Sequence, residues 1–187
     1  TDETDSLEAE IDEIRDAVNE LLKQASVIQQ DIVITSAAQL EYVENLMGLD
    51  SSVDNTFVSG ESREYILSGM LTVNTTFTST DTSMLARVNA VVDRIASIVM
   101  DAGEVVTLTV ADDQTLSVAT LEFIQGGLTV NGAGTAALGS LSALTETLTL
   151  STGGDVAYPA LNQVGDVMIT ATSVSYTHLR AHETSNH

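Results

Sequence analysis

The sequence predicts an elongated α+β protein in which helical and β-rich segments follow one another along the chain. Three observations lead to this fold class: an N-terminal heptad pattern of apolar residues, a second amphipathic segment, and a switch to alternating apolar and threonine residues from residue 104. The expected segments are a coiled-coil helix (1–50), a loop with short strands (51–80), a second and shorter amphipathic helix (81–103), a β-rich Gly/Thr repeat region (104–173) and a non-native tail (174–187).

The first segment carries the clearest pattern. Its apolar residues are separated alternately by four and three positions, which is the heptad spacing of a coiled-coil seam. The members of this predicted oligomer seam are Leu7, Ile11, Ile14, Val18, Leu21, Ala25, Ile28 and Ile32. Isoleucine at both seam positions favours three or more strands over two. We therefore predict a homo-oligomer, with a trimer as the expected state; an amphipathic helix lying on a globular core is the alternative.

This first helix is expected to cover residues 6–47. Gly48 is a natural C-terminal stop, and the polar stretch 49–62 that follows is predicted to be a loop. The β-branched run 32–35 is unfavourable inside a helix, so a break near Ser36 into two helices is the alternative.

A second helix is predicted after short strands within residues 64–79. Asp81 is a good N-cap and Gly103 a good C-terminal stop for this helix. Its apolar residues repeat the four-three spacing, which suits either a second coiled-coil segment or a core helix of a small domain. These residues are Met84, Val88, Val91, Ile95, Ile98 and Ala102.

The region from residue 104 onward has β character. Apolar residues alternate with threonine, and Gly- or Asp-rich turns recur after about ten residues, as in a meander or a solenoid of short strands. Asp112 and Asp113 are predicted to form one of these turns, and Gly132 and Gly134 another.

The charge balance restricts the partners. The chain has 27 acidic residues against 6 Lys and Arg, giving a formal net charge of −21. Such a surface repels nucleic acid and anionic membranes, because both are bound through Lys and Arg. No apolar run approaches the roughly 20 residues that a membrane-spanning helix needs. We therefore expect neither nucleic acid nor membrane as a partner.

The final segment, 174–187, resembles the translated read-through of a transposase-type sequencing adapter. Its first eleven residues match one reading frame of that adapter in order, so we exclude the segment from fold reasoning. It contains the three histidines of the chain, His178, His182 and His187, and their spacing is therefore not interpreted as a metal site. The chain begins at Thr1 without a methionine, and we expect a metagenomic fragment cut at both ends.

Little in the remaining sequence suggests chemistry. There is no cysteine, and Lys23, the lone lysine, lies on the predicted coiled coil, so a base for nucleophilic catalysis is lacking. The pairs Asp112–Asp113 and Asp155–Asp166 are candidates for paired carboxylates, but their surroundings are those of turns. A Gly-Gly-Asp segment ending at Asp155 suits a Ca²⁺ ligand, but the full repeat pattern of such sites is absent. We predict no enzyme, no cofactor and no metal site.

The Gly- and Thr-rich stretch 127–135 resembles the repeats of phage tail fibre proteins, and segments 69–76 and 164–170 look similar. The resemblance implies a trimeric, elongated virion appendage that contacts other virion proteins or a cell-surface receptor. We therefore predict a structural fibre or stalk component located in the virion. A cellular surface stalk or adhesin is the alternative, and a tailspike-like glycan hydrolase with its site outside this fragment is a distant one.

Overall fold

The computed structural model describes residues 2–52, 56, 63–152, 156–169 and 176–177, with side chains described except at 2–3, 19–25, 152 and 176–177. The helices are α1 (Asp2–Ala25), α2 (Ala37–Met47) and α3 (Thr82–Val92), with a 3₁₀ turn at Thr75–Thr78. The strands are β1 (Val27–Ile28), β2 (Ile32–Ile34), β3 (Tyr65–Ser68), β4 (Leu71–Asn74), β5 (Ile95–Val99), β6 (Val105–Val110), β7 (Thr115–Ser117), β8 (Phe123–Gln125), β9 (Gly127–Gly132), β10 (Thr135–Ala137), β11 (Ala143–Thr152), β12 (Val156–Ala157), β13 (Gln163–Ile169) and β14 (Tyr176–Thr177). None of these helices is long and apolar enough to cross a membrane.

The strands form a coil with three faces, and every pairing between described strands is parallel. The first face contains β1, β3, β5 and β8, and the second contains β2, β4, β6 and β9. β11 bends from the first face to the second, since it pairs with β8 at its start and with β9 further on, and β13 pairs along it. The third face contains β7, β10, β12 and β14, while α2 and α3 take the corresponding place earlier in the chain. We call each circuit of the chain a winding.

Columns of aliphatic side chains fill the interior of the coil. Because parallel strands of successive windings are in register, one inward residue lies above the equivalent residue of the next winding. The narrow space suits Val, Ile and Leu, which also favour strands, and needs few aromatic residues. The best-formed columns are Ile28, Leu67, Ile98, Ile124 and Leu144 on the first face, and Ile34, Val73, Leu108, Val130 and Leu150 on the second, all at most 6% exposed.

Helix α3 covers the edge of the third-face sheet. The Asn89 side-chain amide donates to the Thr115 carbonyl at 3.3 Å and accepts the Ser117 N–H at 2.9 Å. The Asp93 carboxylate accepts the Ala119 N–H at 2.8 Å, while burial raises the pKa of Asp93. These contacts satisfy backbone groups that an edge strand such as β7 would otherwise leave open.

The prediction of one helix over residues 6–47 is wrong. α1 ends at Ala25, and β1 and β2 follow before α2 begins. The β-branched run at Ile32–Ile34 is better accommodated in the parallel sheet, where both isoleucines are at most 1% exposed. The alternative prediction, a break near Ser36, agrees with the start of α2. There the Ser36 hydroxyl accepts the Gln39 N–H as an N-cap.

Two predicted helix signals are confirmed and one is wrong. Gly48 ends α2 in the left-handed conformation, with φ of 70°. Asp81 caps α3; hydrogen bonds from the Ser83 hydroxyl and the Met84 N–H lower the pKa of its carboxyl. α3 ends at Val92 and not at Gly103, because Ile95–Val99 forms β5 and places its isoleucines in the core.

The predicted fold class is therefore wrong. The described residues form short helices and a large parallel sheet that curls around one hydrophobic core, instead of an elongated coiled coil followed by a C-terminal meander. Residues of α2 and α3 belong to the same buried cluster as the strands, for example Leu40 and Val88. The physical reason is that these helices bury their apolar faces against the sheet of their own chain.

Strand β14 falls within the segment that the sequence analysis assigns to an adapter. Its backbone pairs in parallel with β12, with Tyr176 opposite Val156 and Thr177 opposite Ala157. The adapter origin of residues 174–187 stays a prediction, and their other residues lie outside the described ranges.

Candidate functional site

The predicted oligomer seam is divided by the fold. Leu7, Ile11, Ile14 and Val18 lie on α1 and are 58%, 53%, 63% and 47% exposed. We call these four residues the α1 stripe. The side chains of Leu21 and Ala25 lie outside the described set, although both residues belong to α1.

The last two seam residues belong to the core of the coil. Ile28 in β1 and Ile32 in β2 are only 6% and 1% exposed. The heptad spacing thus continues beyond the end of the helix, but its last members pack inside their own chain. Any seam available to a partner therefore lies on α1.

A second surface with a regular pattern lies on the outside of the second face. Four threonines occupy equivalent outward positions in successive strands, and a parallel column of polar residues lies two positions further along each strand. We call these eight residues the threonine grid. The first column is Thr72, Thr107, Thr129 and Thr149, and the second is Asn74, Thr109, Asn131 and Ser151.

The grid follows from strict alternation in four strands. In each of them an apolar residue points inward on either side of an outward threonine, as in Leu128-Thr129-Val130. Parallel strands lie about 4.8 Å apart, and residues two positions apart along a strand are about 6.6 Å apart. The grid is therefore a two-dimensional array of hydroxyl and amide groups about 14 Å long across the strands. Seven of its members are partly exposed and Ser151 is exposed.

The hydroxyl groups of the first column are available to a ligand. Within the described ranges, none of these four hydroxyls forms a hydrogen bond to another protein group. The second column differs: Asn131 accepts a hydrogen bond from the Ser151 hydroxyl, and Asn74 accepts from the Thr76 N–H at 3.0 Å. The grid contains no ionisable side chain, so it is a neutral surface on an acidic protein.

A buried ion pair lies between α2 and α3. The Arg87 guanidinium donates to both carboxylate oxygens of Glu44, at 2.5 Å and 3.1 Å, while the Glu44 side chain is fully buried and that of Arg87 is 19% exposed. Hydrogen bonding to Glu44 raises the pKa of Arg87. The two charges pair with each other. The pair therefore links α2 to α3 and leaves no unpaired charge for a substrate.

An acidic groove of about 330 Å³ lies at the bend between the first and second faces. Asp31, Asp101 and Glu104 line it, but two of these carboxylates are engaged by backbone. Asp31 accepts the Met70 N–H and Glu104 accepts the Asp101 N–H. In the part of the chain that the structure describes, no cluster of three or more His, Cys, Asp or Glu residues is placed to hold a metal ion.

The carboxylate pairs considered from the sequence do not form a described site. Asp112 and Asp113 lie in a turn, as predicted, where Asp113 has a positive φ of 58° and its N–H is accepted by the Asp112 carboxylate. Asp166 lies in β13 and accepts the Val167 N–H, while Asp155 is outside the described residues. His178, His182 and His187 also lie outside the described residues.

Comparison of the chain with protein-family models, with curated proteins and with solved structures finds no match. The resemblance to phage tail fibre repeats therefore stays a prediction. Two surfaces of the described structure have a pattern that suggests a function, namely the α1 stripe and the threonine grid.

Proposed function

We propose that this protein is a non-catalytic structural module of a stalk or attachment fibre, in which the coiled sheet is a stiff spacer and α1 joins copies of the chain. The observation that carries the proposal is the α1 stripe. Its four large aliphatic side chains are spaced four, three and four positions apart, and each is about half exposed or more. Burial of such side chains stabilises an assembly by about 25 cal/mol per Å² of apolar surface removed from water.

A second copy of the same chain is the partner that fits the α1 stripe best. Isoleucine occupies both kinds of seam position, at Ile11 and Ile14, which favours a trimer over a dimer. Glu10 and Arg15 then flank the seam at positions that face each other between neighbouring parallel helices, so they attract one another across the interface. Arg15 pairs with Asp12 of its own helix at 2.8 Å, but this pair is exposed and easily exchanged.

The coiled sheet supports the role of a spacer. Continuous aliphatic columns run through successive windings, so each winding is fixed by the windings on either side. The proposal includes a virion appendage, with a cellular surface stalk or adhesin as the alternative setting. It assigns the chain no catalytic chemistry of its own.

We expect the full chain to sediment as a trimer at micromolar concentration, and Ile14→Asn to weaken association at least tenfold. The substitution buries an amide in each helix of the seam, at a cost of about 1–3 kcal/mol for each unsatisfied group. Sedimentation equilibrium measures the populations of monomer and trimer. Moderate salt is used because it screens the repulsion between the acidic helices.

The matched control is Ala9→Asn. Ala9 is exposed and lies on the opposite side of α1 from the stripe, so this variant introduces the same side chain into the same helix without entering the seam. A monomeric parent chain, or equal weakening by both substitutions, would show that the α1 stripe does not mediate self-association.

A further inference from the structure

We infer that the threonine grid is a binding site for a neutral polysaccharide chain lying across the strands. This inference is independent of self-association through α1, because it concerns a different surface. Three features of the grid support it: unengaged hydroxyl groups in register, the absence of charge, and a repeat along the coil axis.

The first feature is the hydrogen-bonding capacity of the first column. A threonine hydroxyl both donates and accepts, and so it matches the hydroxyl groups of a sugar. Thr72, Thr107, Thr129 and Thr149 occur at equivalent positions in four successive strands, and none of their hydroxyls bonds to another described protein group. Asn131 and its neighbours in the second column add amide and hydroxyl groups beside them.

The second feature is charge. The chain carries a net charge of −21, which repels nucleic acid and acidic glycans. The grid itself has no ionisable group that could attract a cationic ligand specifically. A neutral polymer rich in hydroxyl groups is therefore the ligand whose chemistry fits both the grid and its surroundings.

The third feature is the repeat. Equivalent groups recur about every 4.8 Å across the strands, which is comparable to the advance per ring of an extended β-linked sugar chain. Successive sugars can therefore make the same contact with successive windings. Because the grid is the outer face of a sheet and not a cavity, each contact is weak, and affinity depends on the number of contacts made at once.

The experiment measures binding of the full chain to β-1,4-linked glucose oligosaccharides, from the disaccharide to the hexasaccharide, by isothermal titration calorimetry. Retention on insoluble cellulose, chitin and neutral β-glucans is measured in parallel. We expect affinity to rise with each added sugar and to level off once four or five sugars cover the four strands of the grid.

The test variant is the double substitution Thr107→Val with Thr129→Val. Valine keeps the shape and β-propensity of threonine and removes only the hydroxyl, so we expect the fold to persist and the affinity for the hexasaccharide to fall about tenfold. The matched control is Thr115→Val with Thr135→Val, which changes another in-register pair of neighbouring windings on the third face. We expect the control to bind as the parent does.

Equal loss in both double variants, or affinity independent of oligosaccharide length, would overturn the inference. Absence of binding to cellulose, chitin and neutral β-glucans would overturn it as well. Partition of the protein into growing ice, reduced by the Thr107→Val and Thr129→Val pair without any glycan binding, would assign the grid to an ordered water lattice instead.

Discussion

Replacement of Arg87 by alanine is expected to destabilise the protein by about 3–5 kcal/mol. The substitution removes both hydrogen bonds to Glu44 and leaves a carboxylate with a fully buried side chain and no opposite charge between α2 and α3. Most of this cost comes from keeping an unpaired charge out of water, and less of it comes from the lost attraction between the two side chains. Urea denaturation monitored by circular dichroism measures the effect as a lower urea concentration at the unfolding midpoint. The slope of the unfolding free energy against urea concentration is checked separately.

Two further variants show whether the buried charge is the cause. Arg15→Ala removes a surface partner of Asp12, where both side chains are more than 60% exposed, and is expected to change stability by less than about 1 kcal/mol. The double variant Glu44→Leu with Arg87→Leu removes both charges and is expected to recover most of the stability. If Arg15→Ala and Arg87→Ala have similar effects, the Glu44–Arg87 pair does not contribute as the structure indicates.

Replacement of Gly132 by alanine is expected to destabilise the protein by at least about 3 kcal/mol. Gly132 ends β9 with φ of 96°, a backbone conformation that residues with a side chain rarely adopt. A Cβ atom added there would lie 2.1 Å from the Val110 carbonyl oxygen of the preceding winding, which is fixed in β6. The backbone of one winding must therefore move away from the other.

The matched control for this variant is Gly139→Ala. Gly139 has no positive φ, and a Cβ atom there meets nothing within 4 Å. We expect this substitution to be neutral, or to stabilise by about 0.4–1 kcal/mol because it restricts the unfolded chain. Equal denaturation midpoints for the two variants would contradict the close approach of β6 and β9 at Gly132.

Signals that depend on local chemistry could be predicted from the sequence. Asp81 and Gly48 mark helix ends, because a carboxylate satisfies free N–H groups and glycine tolerates a left-handed backbone. The turn at Asp112 and Asp113 was predicted for the same kind of reason. These features need only a few neighbouring residues and no partner from another part of the chain.

The sequence contains a repeat of twenty residues that its turns and motifs do not reveal. Leu121, Leu141 and Leu161 stand twenty positions apart and are all buried. Ile124, Leu144 and Val164 have the same spacing and pair in successive windings. The turns are irregular and the outward residues vary, so whole segments of the sequence do not align with a period of twenty. The inward positions taken alone show that period.

The sequence predicts the strands that carry the threonine grid but not the grid itself. Alternation of threonine with apolar residues indicates strands with one outward face, and that much is local. The columns require Thr107 to lie beside Thr129 and Thr72, which are 22 and 35 positions away, respectively. No pattern within one strand fixes that register, so the site itself could not be predicted.

Local sequence signals were enough to predict the end of α2 at Gly48, the start of α3 at Asp81, the turn at Asp112 and Asp113, and the β character after residue 104. The fold alone shows that Ile28 and Ile32 belong to a parallel sheet, although their spacing continues the heptad pattern of Ile11 and Ile14. The reason is that hydrophobic burial is not directional: an apolar residue is stabilised by any surface that excludes water. Whether that surface is another helix or the next winding of the same chain depends on contacts between residues far apart in sequence.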